Sequence, residues 1–463
     1  MADPLHIGLV VDHPRRDLPT VVMTALALSR RGCRTSIVPL YEQGVDVPLL
    51  GLDALVTTFA RPANRQLVER FHRCGLPVFV LDTEGGVLAT VGPNSPESLA
   101  RSVRDEGWGQ LLAGYFFWGG LLRDAFTAAG AMPAERLHLT GCPRFDPTAE
   151  QWRAMLTFPQ RDYVLVNTAF PAVNSRFTET GEDRQAMHAA GWDPAYVESL
   201  VVDSAVAMDR MITLIGNLAR RLPHRHFLVR PHPFERQERY ADAFAGLANV
   251  RVDGAGSVLN VIANSACVLQ LNCSTAIEAI MLEKLPLSPD FVSTPVLRKH
   301  AELPNRASLL VDSEDRLVDI LSDIPAATRA FDFDARYDAL IAPYFHLRDG
   351  RAAERVADVL AALPRRHARP DAGEALRASV DRPRLLQRLQ SAAALLLGSR
   401  RASLLRTRLQ PRRAAKTIDV APVRDLMLAA TRAGGLAMPA IAHHVHGPRG
   451  LVLSSITVDP LPQ

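Results

Sequence analysis

Short apolar runs alternate with longer helical stretches through the first three hundred residues, and this alternation limits the fold more than any other feature. Residues 6–11, 35–40, 54–58 and 77–81 are apolar runs of strand length. Between them, 18–31 and 64–74 carry helical patterns that end at Gly32 and Gly75. Further strands are expected at 115–119 and 137–141, with a helix at 121–130 between them. Strands that alternate with helices in this way build a doubly wound parallel sheet, an α/β fold. Turn residues crowd the stretch 143–159, and the pattern restarts at 163–167. A long helix is expected over 195–222, then strands at 226–229, 250–252, 267–271 and 308–311. The expected organisation is two Rossmann-like domains, 1–155 and 156–325, facing a cleft. A helical, Arg-rich extension, 326–463, follows them.

A chain of 463 residues has room for two or three domains. With 48% hydrophobic and 22% charged residues it matches an ordinary soluble enzyme. A net charge of +4 gives no general electrostatic case for nucleic acid, so no nucleic-acid partner is expected. The five cysteines are scattered, none at metal-ligand spacing, which suits a reducing cytoplasm. The start of the chain lacks the basic and apolar regions of a signal peptide. No run of about twenty apolar residues is long enough to span a bilayer.

Two strand ends carry the chemistry. Arg230-Pro231-His232-Pro233 closes the run 226–229, and Asn272-Cys273-Ser274-Thr275 closes the run 267–271 and leads into a helix. Ligands of open α/β sheets bind beyond the carboxyl ends of the strands. Arg230, His232, Ser274 and Thr275 are thus expected at one rim, where hydroxyls and free backbone N–H groups favour an anion, most simply a phosphate. Thr275 and Glu278 also fit a capping box, the bland alternative. Asp82-Thr83-Glu84-Gly85 closes the fourth strand and places carboxylates at the rim of the first domain. Arg16 and Asp17 follow the first strand, either to hold a ligand or to pair with each other. Asn167 and Asn174 are weaker candidates for the cleft, and Arg144 and Asp146 are more simply a structural turn. His443, His444 and His446 have no carboxylate or thiol beside them in sequence, so no metal site is assigned.

The motifs carry a resemblance. Arg230-Pro231-His232-Pro233 resembles the His-Pro motif of bacterial sialyltransferases, polysialyltransferases and capsule Kdo transferases, and Asn272-Cys273-Ser274-Thr275 resembles their serine/threonine-rich motif. Asp82-Thr83-Glu84-Gly85 resembles their acidic motif, with Thr83 where an acid is usual. The chain is also similar to the bacterial surface carbohydrate biosynthesis proteins, in blocks at Arg16-Asp17-Leu18, 82–85, 140–146, 165–170, 230–233 and 274–278. The resemblance implies a GT-B glycosyltransferase of surface-polysaccharide assembly, capsule or lipopolysaccharide. Its donor would be a nucleotide sugar, such as CMP-activated Kdo or a nonulosonic acid, and its acceptor a glycan or lipid-linked glycan. It implies Glu84 or Asp82 as general base and His232 as donor to the leaving phosphate. Arg230, Ser274, Thr275, Glu278 and Asn272 would hold the nucleotide, Arg230 by pairing with the phosphate or by bracing the loop, with Arg16, Asp17 and Asn167 near acceptor or donor. No cofactor is expected beyond the substrate, and the mechanism is expected to be metal-independent. Alternatives on the same fold are a CDP-polyol phosphotransferase of teichoic-acid type and a UDP-sugar transferase or epimerase. A non-catalytic scaffold is the alternative of another class.

The segment 365–416 is rich in arginine around the apolar run 392–397. Two readings stay open. One is a solvated helical appendage. The other is a basic amphipathic surface on anionic lipid, which would place a cytoplasmic enzyme at the inner face of the plasma membrane.

Overall fold

The computed structural model describes residues 3–85, 95–176, 184–185, 187–188, 191–365, 400–401, 416–446 and 452–461. The chain divides into two compact units. One comprises 1–86, 100–155 and 344–463, the other 87–99 and 156–343.

In the first unit β1 (His6–Val11), β2 (Arg34–Pro39), β3 (Ala54–Thr57), β4 (Val78–Leu81), β5 (Gly114–Phe117) and β6 (Leu137–Leu139) are parallel, in the order β2-β1-β3-β4-β5-β6. β1 is buried at all six positions, as a central parallel strand requires. The chain leaves β1 towards β2 and then returns to lay β3 on its other side. The carboxyl ends of β1 and β3 therefore form the seam where strand order reverses.

In the second unit β7 (Val164–Asn167), β8 (Phe227–Arg230), β9 (Val250–Val252), β10 (Cys267–Gln270), β11 (Leu285–Pro289) and β12 (Leu309–Val311) are all parallel. Their order is β12-β11-β10-β7-β8-β9, so the corresponding seam lies between β7 and β10. β11 was not expected, because Pro286 and Pro289 argue against a central strand. It is nonetheless buried throughout and paired on both sides.

The extension departs from the expected helical body. β13 (Ala440–His446) and β14 (Val452–Pro460) form an antiparallel hairpin, and β14 pairs antiparallel with β2. The first sheet thus has eight strands among the described residues. Buried polar contacts fix the join. His6 Nε2 meets Ser36 Oγ at 2.8 Å, and Ser36 Oγ meets Thr457 Oγ1 at 3.0 Å. Asp46 accepts the Ser455 backbone N–H at 2.8 Å and its hydroxyl at 2.7 Å.

The helices Ala352–Ala361 and Val420–Ala433 pack against the helix Pro14–Ser29. That explains its sequence: from Asp17 to Ser29 all residues but Pro19 are buried, so it is apolar on nearly every side. Val356, Leu360, Val423, Met427, Ile456 and Val458 belong to the same core as Ile7, Leu26 and Val56. The extension is part of the first unit from Tyr344 onward. Residues 326–343 belong to the second unit instead. The apolar run 392–397 and most of the Arg-rich segment lie outside the described residues.

Asp146, expected in a turn, is the anchor for one of these helices. Its two carboxylate oxygens accept the backbone N–H groups of Ala352 at 2.9 Å and Ala353 at 2.8 Å. These are orphan donors at a helix start. Burial raises its pKa to about 7 despite those two hydrogen bonds. A carboxyl whose pKa rises on folding binds its proton more tightly in the folded state. Its contribution to stability is therefore largest below about pH 4 and falls as pH rises towards about 7. Asp146→Asn should remove this slope, and it should cost about 1–3 kcal/mol because the amide can accept only one of the two N–H groups. Thermal melts between pH 4 and pH 8 check both expectations.

Candidate functional site

In the second unit the β7–β10 seam brings Asn167 to Thr275. Asn167 closes β7, is 3% exposed, and donates from Nδ2 to Thr275 Oγ1 at 2.9 Å. Its Oδ1 is buried without a partner among the described residues. Thr275 opens the helix Thr275–Met281 and donates to Cys273 Sγ at 3.1 Å. The expected capping box does not form: Ser274 is the N-cap, and its side chain makes no capping hydrogen bond. Glu278, expected to help hold the nucleotide, is only 2% exposed. It stands in the first turn of the helix, packed under its neighbours.

His232 stands beyond β8, partly exposed. Its Nδ1 accepts the Phe234 backbone N–H at 3.3 Å, and the two rings meet edge to face at 5.4 Å between centroids. With Nδ1 accepting, the neutral ring carries its proton on Nε2, which makes that nitrogen a donor. Arg230 takes the second of its two expected roles. It is 8% exposed and donates to the carbonyls of Ala255 at 2.5 Å and Gly256 at 2.8 Å. It braces the loop after β9. Asn272 is structural as well. It adopts a left-handed backbone, φ 58°, and its side-chain oxygen accepts Asn305 Nδ2 at 2.7 Å.

Three residues that shape this rim escaped the sequence reading. Glu235, 1% exposed, accepts from Thr168 Oγ1 at 2.9 Å, the Phe170 N–H at 2.7 Å and the Tyr240 hydroxyl at 2.5 Å. It ties the loop after β7 to the loop after β8, and burial raises its pKa. Gln270 accepts the Cys273 N–H at 2.8 Å, and Asn305 accepts the Asn272 N–H at 3.1 Å. Together they hold the turn that presents Ser274. The sign available in the sequence was a Glu and a Gln at the ends of apolar segments, a weak one. Asn174 donates to the Arg236 carbonyl at 2.9 Å and serves the same loop.

In the first unit the pair of candidate bases separates. Asp82 is 1% exposed and accepts the Tyr115 hydroxyl at 3.0 Å and the Glu84 backbone N–H at 2.9 Å, with Arg61 at 3.5 Å. It builds the turn. Gly85 closes the turn tightly: a Cβ there would lie 3.1 Å from that of Asp82. Glu84 projects from the turn with its side chain 60% exposed and Arg16 at 3.7 Å. Arg16 and Asp17 pair with each other, at 2.7 Å and 3.0 Å, and Arg16 also meets Asp12 at 2.8 Å. The three carboxylates hold the Arg16 guanidinium protonated, above its usual pKa, against the opposing effect of burial. Lys416 from the extension also pairs with Asp12. Burial alone would raise the Asp12 pKa, but Lys416 and Arg16 more than offset it and the pKa is lowered.

Below the Asp82–Glu84 turn, at the β1–β3 seam, lies a cavity of about 30 Å³. Arg144 and Cys142 line it, and Arg144 also stacks on the Phe145 ring at 5.4 Å. Two histidines of β13 hydrogen-bond to carboxylates: His443 Nε2 to Asp459 at 2.6 Å and His444 Nε2 to Asp419 at 3.3 Å. Among the described residues no cluster of three or more His, Cys, Asp or Glu could hold a metal ion.

No protein-family model matches the chain, and no curated protein matches it in sequence. The fold has many counterparts. A UDP-N-acetylglucosamine 2-epimerase aligns at 13% identity over 78% of this chain and 96% of its own, with a TM-score of 0.50. A Methanocaldococcus jannaschii UDP-GlcNAc 2-epimerase, in complex with UDP-GlcNAc and UDP, aligns at 13% identity over 77% of this chain and 99% of its own, TM-score 0.48. The wall teichoic acid polymerase TagF, as a variant, aligns at 12% identity over 78% and 89%, TM-score 0.49. The first of these likenesses is one of fold. The chain has the two-domain α/β architecture of GT-B proteins.

Proposed function

We propose that the chain is a GT-B glycosyltransferase of bacterial surface-glycan assembly that takes a nucleotide-activated sugar, CMP-linked by preference. The observation that carries this is the β7–β10 seam. There Asn167, Ser274 and Thr275 stand at the reversal of strand order, and His232 presents an N–H donor from the adjacent strand end. Carboxyl-end seams are where such sheets bind ligands. Uncharged and imidazole donors fit a phosphate that gains charge as the sugar departs. Arg230 supports this site by bracing its loop rather than by touching the phosphate. In the first unit Glu84 is the proposed base, because Asp82 is engaged by its neighbours and Glu84 is not buried. The charge is met by protein donors, so turnover should survive chelation of divalent metal.

His232→Ala should leave the melting temperature unchanged and remove about 2–4 kcal/mol of transition-state stabilisation, with weaker nucleotide binding. Calorimetry with CMP, CDP and UDP, and nucleotide release from CMP-Kdo, CDP-glycerol and UDP-N-acetylglucosamine, test it. Preference for CDP-glycerol or UDP-N-acetylglucosamine would favour the polyol transferase or the epimerase reading. Glu84→Gln should bind nucleotide as before and lose turnover, since an amide cannot take the acceptor's proton. An active Glu84→Gln beside an inactive Asp82→Asn would exchange the two roles.

The same reading gives the Arg-rich segment a partner, the anionic inner face of the plasma membrane. No helix among the described residues is long and apolar enough to cross a membrane. Truncation near Ala326 is a poor test, because it removes strands and helices of the first core. Replacing Arg406, Arg408, Arg412 and Arg413 with Gln is the better one. Co-sedimentation with anionic vesicles at low salt should fall in the variant, and added salt should weaken binding of the parent. Equal binding by both proteins would assign the segment to a structural role.

A further inference from the structure

The Arg16 guanidinium is pinned by two carboxylates. Nε donates to Asp17 Oδ1 at 2.7 Å, and Nη2 donates to Asp17 Oδ2 at 3.0 Å and to Asp12 Oδ2 at 2.8 Å. With two nitrogens of a rigid, planar fork fixed, the place of the third follows. That third nitrogen, Nη1, stands 3.7 Å from Glu84 Oε1. Asp17 is itself firmly set. It is 4% exposed, and its Oδ2 also accepts the His13 backbone N–H at 2.9 Å. Asp12 is the partner with room to turn, because it meets Arg16 through Oδ2 alone.

Lys416 decides which way Asp12 turns. Its Nζ donates to Asp12 Oδ1, the oxygen that Arg16 does not engage. The Lys416 side chain is only 15% exposed, and its ammonium also lies over the Tyr41 ring, 5.4 Å from the centroid. Salt and solvent screen so covered a pair less than one on the surface. Lys416, Asp12, Arg16 and Glu84 thus alternate in charge, and Glu84 alone of the four is well exposed. Without Lys416, Asp12 could turn both oxygens to Arg16 and close the bidentate fork that carboxylates form with guanidinium. That fork would take Nη1 away from Glu84. We infer that Lys416 is a positioning residue for Glu84: by occupying Asp12 Oδ1 it leaves Arg16 Nη1 facing the Glu84 carboxylate. The inference rests on the reading of Glu84 as base. A base must stand within hydrogen-bond reach of the proton it takes, and a misplacement of about 1 Å can cost about a hundred-fold in rate. Lys416 acts through Asp12 and Arg16, all within the first unit.

The test uses the full chain and two substitutions, Lys416→Met, which keeps the stem and removes the charge, and Lys416→Arg, which keeps the charge. Turnover is read as nucleotide release from whichever of CMP-Kdo, CDP-glycerol and UDP-N-acetylglucosamine the parent uses. Lys416→Met should lower kcat about ten-fold with KM for the nucleotide sugar unchanged, and Lys416→Arg should keep most of the parent rate. Lys416→Met combined with Asp12→Asn removes both charges of the pair, so no charged fork can close on Nη1, and most of the turnover should return. Arg400→Gln removes an extension cation paired with Asp419 instead and should leave kcat unchanged. Crystal structures of the parent and Lys416→Met give a reading that needs no substrate. Asp12 should turn both oxygens to Arg16, and Glu84 should move from Nη1 by about 1 Å or more. Superposable Asp12, Arg16 and Glu84 in the two crystals would overturn the inference. So would a lower melting temperature with kcat intact, or no recovery in the Asp12→Asn combination, since either would make Lys416 a tie that only holds the extension. A fully active Glu84→Gln would remove the base and this inference together. A fully active Lys416→Met beside an inactive Glu84→Gln would remove this inference alone.

Discussion

Each sheet grows outward from its first strand in both directions, and most of the chemistry of this molecule gathers where the directions part. Because such crossovers are right-handed, the connections to the strands on one side of the founder cover one face of the sheet and those to the other side cover the opposite face. At that parting the connections diverge and leave a gap at the carboxyl ends. In the second unit Asn167 and Thr275 stand on either side of such a gap and touch across it. In the first unit the same reversal leaves the cavity walled by Thr20, Thr58 and Trp118. The two seams have unlike residues but one topological origin.

The rims are rigid because buried acids and amides hold their loops from beneath. Glu235 joins two loops through three donors, and Asp82 sets the turn from which Glu84 projects. Arg230 holds a third loop through two carbonyls. The side chains His232 and Glu84 stand on turns whose shape is already set, an arrangement that lowers the ordering cost of any binding at such a rim.

Strands of continuous apolar residues made the two parallel sheets legible, and the residues that end them marked the rims. Roles at the rims were harder to read. A sequence motif does not tell a residue that faces a ligand from one that supports the loop. Arg230, Asn272 and Glu278 sit within the motifs yet are engaged or buried, whereas Glu235 and Asn305 lie outside them and set their shape. β11 was hidden by its prolines. The hairpin β13–β14 was hidden because its neighbour β2 is four hundred residues away, beyond the reach of local pattern. The all-round apolar character of the helix Pro14–Ser29 was the sign that something further covers it.

The place of β14 beside β2 bears on the order in which the molecule forms during synthesis. The strands of the second unit, β7 to β12, lie in one continuous stretch and can assemble as soon as that stretch leaves the ribosome. The first unit's strands start before those of the second, but its sheet is completed only with residues 452–460. Until then β2 has a bare edge, and the helix Pro14–Ser29 lacks its apolar cover, both of which invite aggregation. The unit whose strands come earlier in the sequence is thus the later one to mature, and a ribosome that stops before residue 452 leaves a sticky intermediate rather than a smaller folded protein.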